Sequence, residues 1–356
     1  MALKPFGRVN PAGTRGSDLA VAPQTLFDLA SVTKPVATTT MAAILYERGN
    51  LELDTPVLGV IPEFLIDSCG EVDPRRHNVT FRMLLAHSSG LPAYEKLFLE
   101  AHTHDELLRA AFTMPLSADP GTRAEYSDIG FIILGAALER LAAESLDVFS
   151  QREIFGPLAM RNTTFNPPAA ARSLIPPTAD DRTLRQRVIQ GEVQDENAGI
   201  LGGVAGHAGL FSSAQDLARF AHALLTCGEG TRGADTPVRE MPASQPRPGV
   251  SQTPRPILRP ETVALFTRRE STPAGTSRAL GWDTPSAPSQ SGKYFGPRSF
   301  GHLGYTGTSL WIDPERQLSI TLLTNRTWPD CANQAIKQVR PAFHDAIVEA
   351  LGAQKD

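Results

Sequence analysis

Residues 25–47 constrain this chain more than any other stretch, because they combine a helical pattern with two reactive side chains. Ser31 and Lys34 form the only S-x-x-K in the sequence. Four apolar residues downstream recur at roughly helical spacing: Val36, Met41, Ile44 and Leu45. Because positions three apart share a face of a helix, we expect the hydroxyl and the amine to lie side by side at a helix N-terminus. A lysine whose pKa is lowered can act as a base and activate such a serine.

The overall composition excludes several classes of protein. With 41% hydrophobic and 20% charged residues, the chain is typical of a globular protein. A net charge of −4 gives no electrostatic basis for binding nucleic acid. No apolar run approaches the roughly 20 residues of a membrane span. The three cysteines, Cys69, Cys227 and Cys331, are scattered along the chain. We therefore expect no disulfide framework, no metal, no cofactor, no nucleic acid partner and no membrane span.

Periodic segments divide the chain into a helix-rich body and a β-rich end. Helices are predicted at residues 26–47, 79–87, 103–112, 129–146, 149–155, 212–225 and 332–351. Thr80 is expected to cap the second of these helices, and Thr103 with Glu106 is expected to form a capping box on the third. Strands are predicted at residues 300–304, 309–312 and 318–325. Residues 199–209 are dense in glycine, so their backbone can approach another segment closely. Residues 228–260 are rich in Pro, Gly and Arg, which predicts an exposed loop.

Two further short motifs carry polar side chains that could meet the first. Tyr126-Ser127-Asp128 lies in a loop before a predicted helix, and His302-Leu303-Gly304 lies on a late strand. Each has a simpler interpretation alone, in which the tyrosine covers apolar surface, the aspartate caps the helix that begins at Ile129, and the histidine packs in its strand. The order of the three motifs favours a shared site over three separate structural roles.

In this order the three motifs resemble those of the serine β-lactamase and penicillin-binding protein superfamily, and within it the class C-like branch. Residues 84–92, 206–220 and 304–315 are similar to segments of the same family. The resemblance implies an α+β fold, with an antiparallel sheet flanked by helices and an inserted all-helical subdomain. It also implies one catalytic domain over residues 1–356, with an α/β part at about 1–55 and 200–356 and a helical part at about 56–199.

The resemblance assigns a role to each motif residue. Ser31 is the nucleophile that forms an acyl-enzyme, and Lys34 takes or relays its proton. Tyr126 acts with the lysine as base and then protonates the leaving group; a neighbouring ammonium favours its phenolate. The backbone N–H groups of Ser31 and Tyr305 form the oxyanion hole.

Two departures from the family pattern bear on the substrate. Asp128 stands where asparagine is usual, and a carboxylate can accept but not donate a hydrogen bond. It can instead hold Lys34 as a cation, which would weaken the lysine as a base. His302 replaces the lysine of K-T-G, and a histidine with a pKa near ~6.5 carries only partial charge at pH 7. A neutral ester or amide is therefore favoured over a penicillin. The other residues expected at the substrate are Gly304, His207 and, for a carboxylate, Arg326.

The sequence thus predicts a serine hydrolase that acts through Ser31 on an ester or small amide. The alternatives are a D-alanyl-D-alanine carboxypeptidase or β-lactamase on peptidoglycan-like substrates, and, in another class, a catalytically silent peptidoglycan-binding module. The first twenty residues contain no 7–15-residue apolar core, so the chain as written is expected in the cytoplasm. Only residues 4–9 could remain of a strand usual in the family, and a start upstream with a signal peptide would make the protein periplasmic.

Overall fold

The computed structural model describes residues 1–10, 19–227 and 256–352. Most of the loop predicted at residues 228–260 lies outside these ranges. The described residues form ten α-helices: α1 Thr40–Glu47, α2 Phe81–Leu85, α3 His104–Phe112, α4 Asp128–Ala142, α5 Leu146–Ser150, α6 Ala169–Arg172, α7 Glu196–Ile200, α8 Ala214–Thr226, α9 Pro260–Thr267 and α10 Ile336–Gly352. They also form eight strands: β1 Phe27–Asp28, β2 Thr164–Phe165, β3 Pro177–Asp181, β4 Arg187–Gln190, β5 Leu210–Ser212, β6 Phe300–Leu303, β7 Ser309–Asp313 and β8 Leu318–Leu322.

Three antiparallel sheets are present in the described ranges. One has the order β6-β7-β8, with Leu303 opposite Ser309, and confirms the three strands predicted near the end of the chain. A second has the order β1-β5-β2, and the third is the hairpin of β3 and β4. Residues 4–9 form no strand in the described ranges, where Arg8 makes only an isolated bridge with Ala20. Most of residues 1–10 are exposed, and of their apolar side chains only Val9 is buried.

The helix α4 lies at the centre of the apolar core. All of its residues from Ile129 to Leu138 are buried, as a helix that is apolar on every side requires. It packs against α1, α2, α3 and α5. The same core cluster includes Leu210 of β5 and Phe300 of β6, so helices and sheets share one interior. No helix in the described ranges is both long and apolar enough to span a membrane.

Several helix starts follow from local sequence as predicted. Thr103 and Glu106 form a capping box at the start of α3, and Thr80 accepts the Met83 N–H at the start of α2. At α4 the predicted cap is wrong: the Ser127 side chain, not that of Asp128, accepts the Gly130 N–H at 2.9 Å. An N-cap needs an extended backbone, which Ser127 adopts with φ −135° and ψ 114°.

The segment around Ser31 differs from the single helix predicted over residues 26–47. Phe27 and Asp28 pair with β5 as a strand, residues 30–32 form a 3-10 turn, residues 34–39 form wide π-helical turns, and α1 begins only at Thr40. Pro35 has no N–H to donate, which disfavours regular α-helical bonding in this stretch. The region predicted to be helical, residues 56–199, also contains β2 and the β3–β4 hairpin in its last third. Pro176 and Pro177 prevent a helix from continuing there.

Candidate active site

Ser31 lies on the 3-10 turn that directly follows β1. The residue before it, Ala30, has φ 46°, a left-handed conformation that is strained for a residue with a side chain. The Ser31 Oγ lies 3.1 Å from the Lys34 Nζ and 2.6 Å from the Tyr126 hydroxyl, which donates to it. The predicted side-by-side arrangement of the serine and the lysine is therefore present, although the turn is tighter than an α-helix.

The Lys34 side chain is completely buried, and its Nζ makes three hydrogen bonds. It donates to Ser31 Oγ, to Asp128 Oδ1 at 2.6 Å and to the His207 carbonyl at 3.0 Å. Burial lowers the pKa of Lys34 below its ordinary value, while the charge of Asp128 acts in the opposite direction. The net result is a lysine that gives up its proton more readily than an exposed one and can serve as a base.

Tyr126 is held as a phenol. Burial, followed by the charge of Asp128, raises its pKa well above the ordinary value. The prediction that the Lys34 ammonium would favour the phenolate is thus wrong for this site, although the Nζ lies only 4.8 Å from the centre of the ring. The hydroxyl lies 3.2 Å from Asp128 Oδ1 as well as 2.6 Å from Ser31 Oγ. It therefore carries its proton at neutral pH, and little phenolate is present to act as a base.

Asp128 occupies the first turn of α4 and brings the other polar groups together. Its Oδ1 accepts from the Lys34 Nζ at 2.6 Å and lies 3.2 Å from the Tyr126 hydroxyl. As the sequence predicts, the carboxylate holds the lysine in an ion pair, which an asparagine could not do.

His302 is buried on β6, and its ring centre lies 6.0 Å from that of Tyr126. Its Nδ1 lies 2.8 Å from the Leu303 carbonyl. Because a carbonyl can only accept, the Nδ1 carries the hydrogen. Burial lowers the pKa of His302 to about 4, although the charge of Asp283 acts to raise it. The imidazole is therefore neutral at pH 7, and the predicted partial positive charge is wrong.

The turn after β6 is tied to the backbone that precedes Ser31. Gly304 has no room for a side chain, because an added Cβ would lie 2.4 Å from the Leu29 carbonyl oxygen. Thr306 Oγ1 donates to the Asp28 carbonyl at 2.7 Å, and Thr308 Oγ1 donates to the Leu29 carbonyl at 3.0 Å. These bonds fix the backbone of Tyr305 relative to β1, while the tyrosine side chain is 53% exposed.

The chain is similar to known proteins over most of its length. A family model described as Beta-lactamase matches residues 8–341. The chain belongs to the beta-lactamase family. An N-acetylmuramyl-L-alanine amidase of Bacillus subtilis (strain 168) is 31% identical over 326 residues, which are 85% of this chain and 68% of the relative. A putative D-alanyl-D-alanine carboxypeptidase of Salmonella agona (strain SL483) is 30% identical over 338 residues, 88% of this chain and 72% of the relative.

The solved structures that resemble this one share its fold. One is the octameric penicillin-binding protein homologue from Pyrococcus abyssi, with a TM-score of 0.67 and 20% identity, covering 97% of this chain and 70% of that chain. Another is EstCE1, described as a hydrolase with promiscuous acyltransferase activity, with a TM-score of 0.66 and 22% identity over 92% of this chain and 87% of that chain. The predicted α+β fold and the resemblance to this superfamily are confirmed, and the protein is a hydrolase of the serine β-lactamase type.

Two of the predicted substrate residues, His207 and Arg326, make hydrogen bonds to other residues of the protein. His207 reaches Lys34 through its carbonyl, while its Nε2 lies 2.8 Å from Asp195 Oδ1. Arg326 donates to the carbonyls of Tyr305, Cys331 and Asn333, and its guanidinium lies 4.2 Å from the Tyr305 ring centre. It supports the turn after β6, and its role toward a substrate carboxylate stays a prediction.

Several residues of the site were missed by reasoning from the sequence. The ring of His87 lies 4.7 Å from that of Tyr126, and its Nδ1 accepts the Ser127 N–H at 3.0 Å. His87 belongs to residues 84–92, which are similar to a family segment, and it is the last residue of the helix predicted over residues 79–87. The Arg278 guanidinium lies 5.4 Å from the Tyr126 ring centre and pairs with Asp283. No sequence motif marks that pair, so it could not have been found.

Proposed function

We propose that this family member cleaves a small amide or ester by transferring its acyl group to Ser31, and that water then releases the acyl group. The main observation that supports the proposal is a pair of hydrogen bonds at the nucleophile. Ser31 Oγ lies 3.1 Å from the Lys34 Nζ and 2.6 Å from the Tyr126 hydroxyl. These two contacts give the nucleophile both a base and a proton donor. Intact side chains at all three positions also argue against a silent binding module.

The chemistry assigns each proton to a group. Lys34 in its amine form takes the Ser31 proton as Oγ attacks the carbonyl carbon. Tyr126 then donates its hydroxyl proton to the leaving group and recovers one from the Lys34 ammonium. In deacylation a water molecule attacks the acyl carbonyl, the same groups accept its proton, and they return a proton to Ser31 Oγ. The backbone N–H groups of Ser31 and Tyr305 stabilise the oxyanion, and losing one such donor typically costs about 2.7–4 kcal/mol.

The neutral His302 favours a substrate that is uncharged beside the scissile bond. A carboxylate there would lack the cation that K-T-G supplies in the family pattern, and Arg278 is already paired with Asp283. The relatives named as an amidase and as a putative carboxypeptidase support an amide of the peptidoglycan type. An amide or ester of a small, cell-wall-like molecule is therefore the first candidate, and D-alanyl-D-alanine carboxypeptidase activity is the second.

We further propose that the substrate enters between the α/β part, residues 1–55 and 200–356, and the helical part, residues 56–199. Ser31 and Lys34 come from the first part, and Tyr126 and Asp128 come from the second. Domain boundaries of this kind are common places for small-molecule sites. For the compartment we propose the cytoplasm for the chain as written, with the periplasm as the alternative.

Intact-protein mass spectrometry after incubation with a fluorophosphonate, and separately with a penicillin, tests the proposal. We expect one fluorophosphonate adduct mapped to Ser31 and no lasting penicilloyl adduct. Ser31→Ala should lose the adduct while its thermal midpoint stays near that of the wild type. Ser117→Ala, which removes an exposed loop hydroxyl, should keep the adduct. An adduct on another residue, or labelling that survives Ser31→Ala, contradicts the mechanism; a lasting penicilloyl adduct favours the second candidate.

A further inference from the structure

Asp28 is a buried carboxylate, three residues before Ser31, that the proposed mechanism does not use. Only 4% of its surface is exposed. Its Oδ1 accepts the Ala30 N–H at 2.8 Å, and its Oδ2 accepts the Gln194 N–H at 2.6 Å. Its backbone carbonyl accepts the Thr306 hydroxyl at 2.7 Å. One residue therefore holds three segments that are distant in sequence.

Each of the three contacts leads to a group of the active site. Ala30 is the residue with the strained left-handed φ of 46°, and its conformation sets the direction in which Ser31 leaves β1. Gln194 precedes Asp195, whose side chain contacts His207, the residue whose carbonyl accepts from the Lys34 Nζ. The third contact, Thr306, follows the residue that supplies the proposed second oxyanion N–H. The carboxylate is thus placed where it can fix the nucleophile relative to its base.

We propose that Asp28 is a positioning residue, whose ionised carboxylate locks the Ala30–Ser31 turn and the Gln194–Asp195 segment in the reactive arrangement. This inference rests on the proposed role of Ser31 as nucleophile. Two N–H donors face the two oxygens, and only a carboxylate accepts from both without offering a donor of its own. A protonated acid or an amide in the same place turns one donor toward an N–H and loses that bond.

The surroundings of Asp28 make its charge sensitive to pH. Burial raises its pKa to about 6; the Ala30 and Gln194 N–H groups act to lower it. The charged groups that face it are Asp195, which raises the pKa, and Arg185, which lowers it and is itself paired with Asp181. As the pH falls through about 6, the carboxyl takes up a proton and one N–H loses its acceptor. Labelling of Ser31 should slow over the same range.

The test is the rate of fluorophosphonate labelling of the full chain between pH 5 and 9. We expect the wild-type rate to fall with an inflection near pH 6. Asp28→Asn should be about 10- to 100-fold slower at pH 8, because small misplacements of reacting groups cost rates of that order, and it should lack the inflection. Asp313→Asn is the matched control: Asp313 is also buried and accepts the Glu315 and Arg316 N–H groups, but at the far end of β7. It should label as the wild type does.

Different results would contradict the positioning role of Asp28 and the role of Ser31 as nucleophile. A wild-type rate in Asp28→Asn at pH 8, or an inflection near pH 6 that persists in it, overturns the positioning role. A wild type with no adduct on Ser31 at any pH overturns the proposed function, and the positioning role with it. If thermal melting shows that Asp28→Asn is unfolded, Asp28→Glu decides, because it keeps the charge but moves the oxygens by one methylene. It should label more slowly, and a wild-type rate and profile contradict the inference.

Discussion

At Lys34, two opposing influences set the protonation state on which the proposed chemistry depends. Complete burial disfavours the ammonium, and the Asp128 carboxylate at 2.6 Å favours it. The same carboxylate raises the pKa of Tyr126. A family pattern with asparagine at this position lacks that charge, so Asp128 should shift the pH range in which this protein works.

Asp128→Asn should therefore move the rise of activity with pH to a lower pH. Removing the negative charge lowers the pKa of both Lys34 and Tyr126, since the Asp128 charge raises each of them. Lys34 then loses its proton at a lower pH and can act as a base from that pH upward. The measurement is the pH dependence of the fluorophosphonate labelling rate.

Glu125→Gln is the control for this prediction. It removes a nearby carboxylate that is partly exposed and paired with Arg123. Its pH profile should match that of the wild type. A profile of Asp128→Asn that is unchanged, or displaced to higher pH, would show that Asp128 does not hold the proton on Lys34.

His302→Lys should change substrate preference rather than simply reduce activity. The neutral imidazole would be replaced by an amine near Asp283, and a hydrogen bond to a charged group is worth about 1.5–3 kcal/mol. The ratio of acylation rates for an anionic penicillin over a neutral ester should rise about tenfold. His222→Lys, the same substitution at an exposed site on α8, should leave the ratio unchanged. An unchanged ratio in His302→Lys would remove His302 from substrate recognition.

At the scale of elements, α10 supports the turn that carries Tyr305. The buried Arg340 of α10 donates to the carbonyls of Gly304, Gly307 and Thr308, which surround that residue. Burial lowers its pKa to about 10, so it remains charged at neutral pH. A guanidinium suits this task because its several N–H donors lie in one plane.

Arg340→Met should weaken the oxyanion hole more than it weakens substrate binding. Three carbonyls lose their donor, so the backbone N–H of Tyr305 moves, and a lost oxyanion donor costs about 10²–10³ in kcat. The free energy of unfolding should also fall by about 2–4 kcal/mol, since hydrogen bonds to charged groups are lost. Steady-state kinetics on an activated ester would show kcat falling with KM little changed.

Lys337→Met is the matched control, because it removes an exposed cation from the same helix. It should keep both kcat and the thermal midpoint. If Arg340→Met melts earlier but keeps the wild-type kcat, then Arg340 stabilises the fold without positioning the oxyanion hole.

Local sequence predicts the elements whose determinants are local. The capping box of Thr103 with Glu106, the Thr80 cap and the spacing of Ser31 and Lys34 each involve residues no more than four apart, and each appears as expected. The features that local sequence does not predict depend on contacts between residues far apart in the chain. β1 replaces the start of a predicted helix because it pairs with β5, and Asp28 meets Gln194 from 166 positions away.

The active site, too, could be predicted only in part. The three motifs lie in one site, and that could be predicted from their order in the family pattern. The protonation states could not, because they depend on burial that no motif encodes. Tyr126 is a phenol and His302 is neutral because burial in the fold disfavours the charged form of each side chain.

At the scale of the whole molecule, helix α4 meets the glycine-dense segment backbone to backbone. A Cβ added to Gly206 would lie 2.1 Å from the Phe131 carbonyl oxygen and 2.9 Å from the Cα of Gly135. The Gly206 carbonyl also accepts the Thr38 hydroxyl at 2.7 Å. This contact joins the helix that presents Asp128 to the segment whose next residue, His207, accepts from Lys34. The close approach predicted from the glycines of residues 199–209 is therefore confirmed.

Gly206→Ala should accordingly damage both stability and catalysis. The added methyl group must displace backbone atoms on both sides, and such overpacking typically costs about 1–3 kcal/mol. The displacement moves the His207 carbonyl away from Lys34, so labelling of Ser31 should slow as well. Gly59→Ala is the matched control, because an added Cβ at this exposed glycine meets no atom within 4 Å. The measurement is the thermal midpoint of both variants. If Gly206→Ala has the same midpoint as Gly59→Ala and the wild type, the backbones of Gly206 and helix α4 do not constrain each other. The environment of Lys34 would then depend on side chains alone.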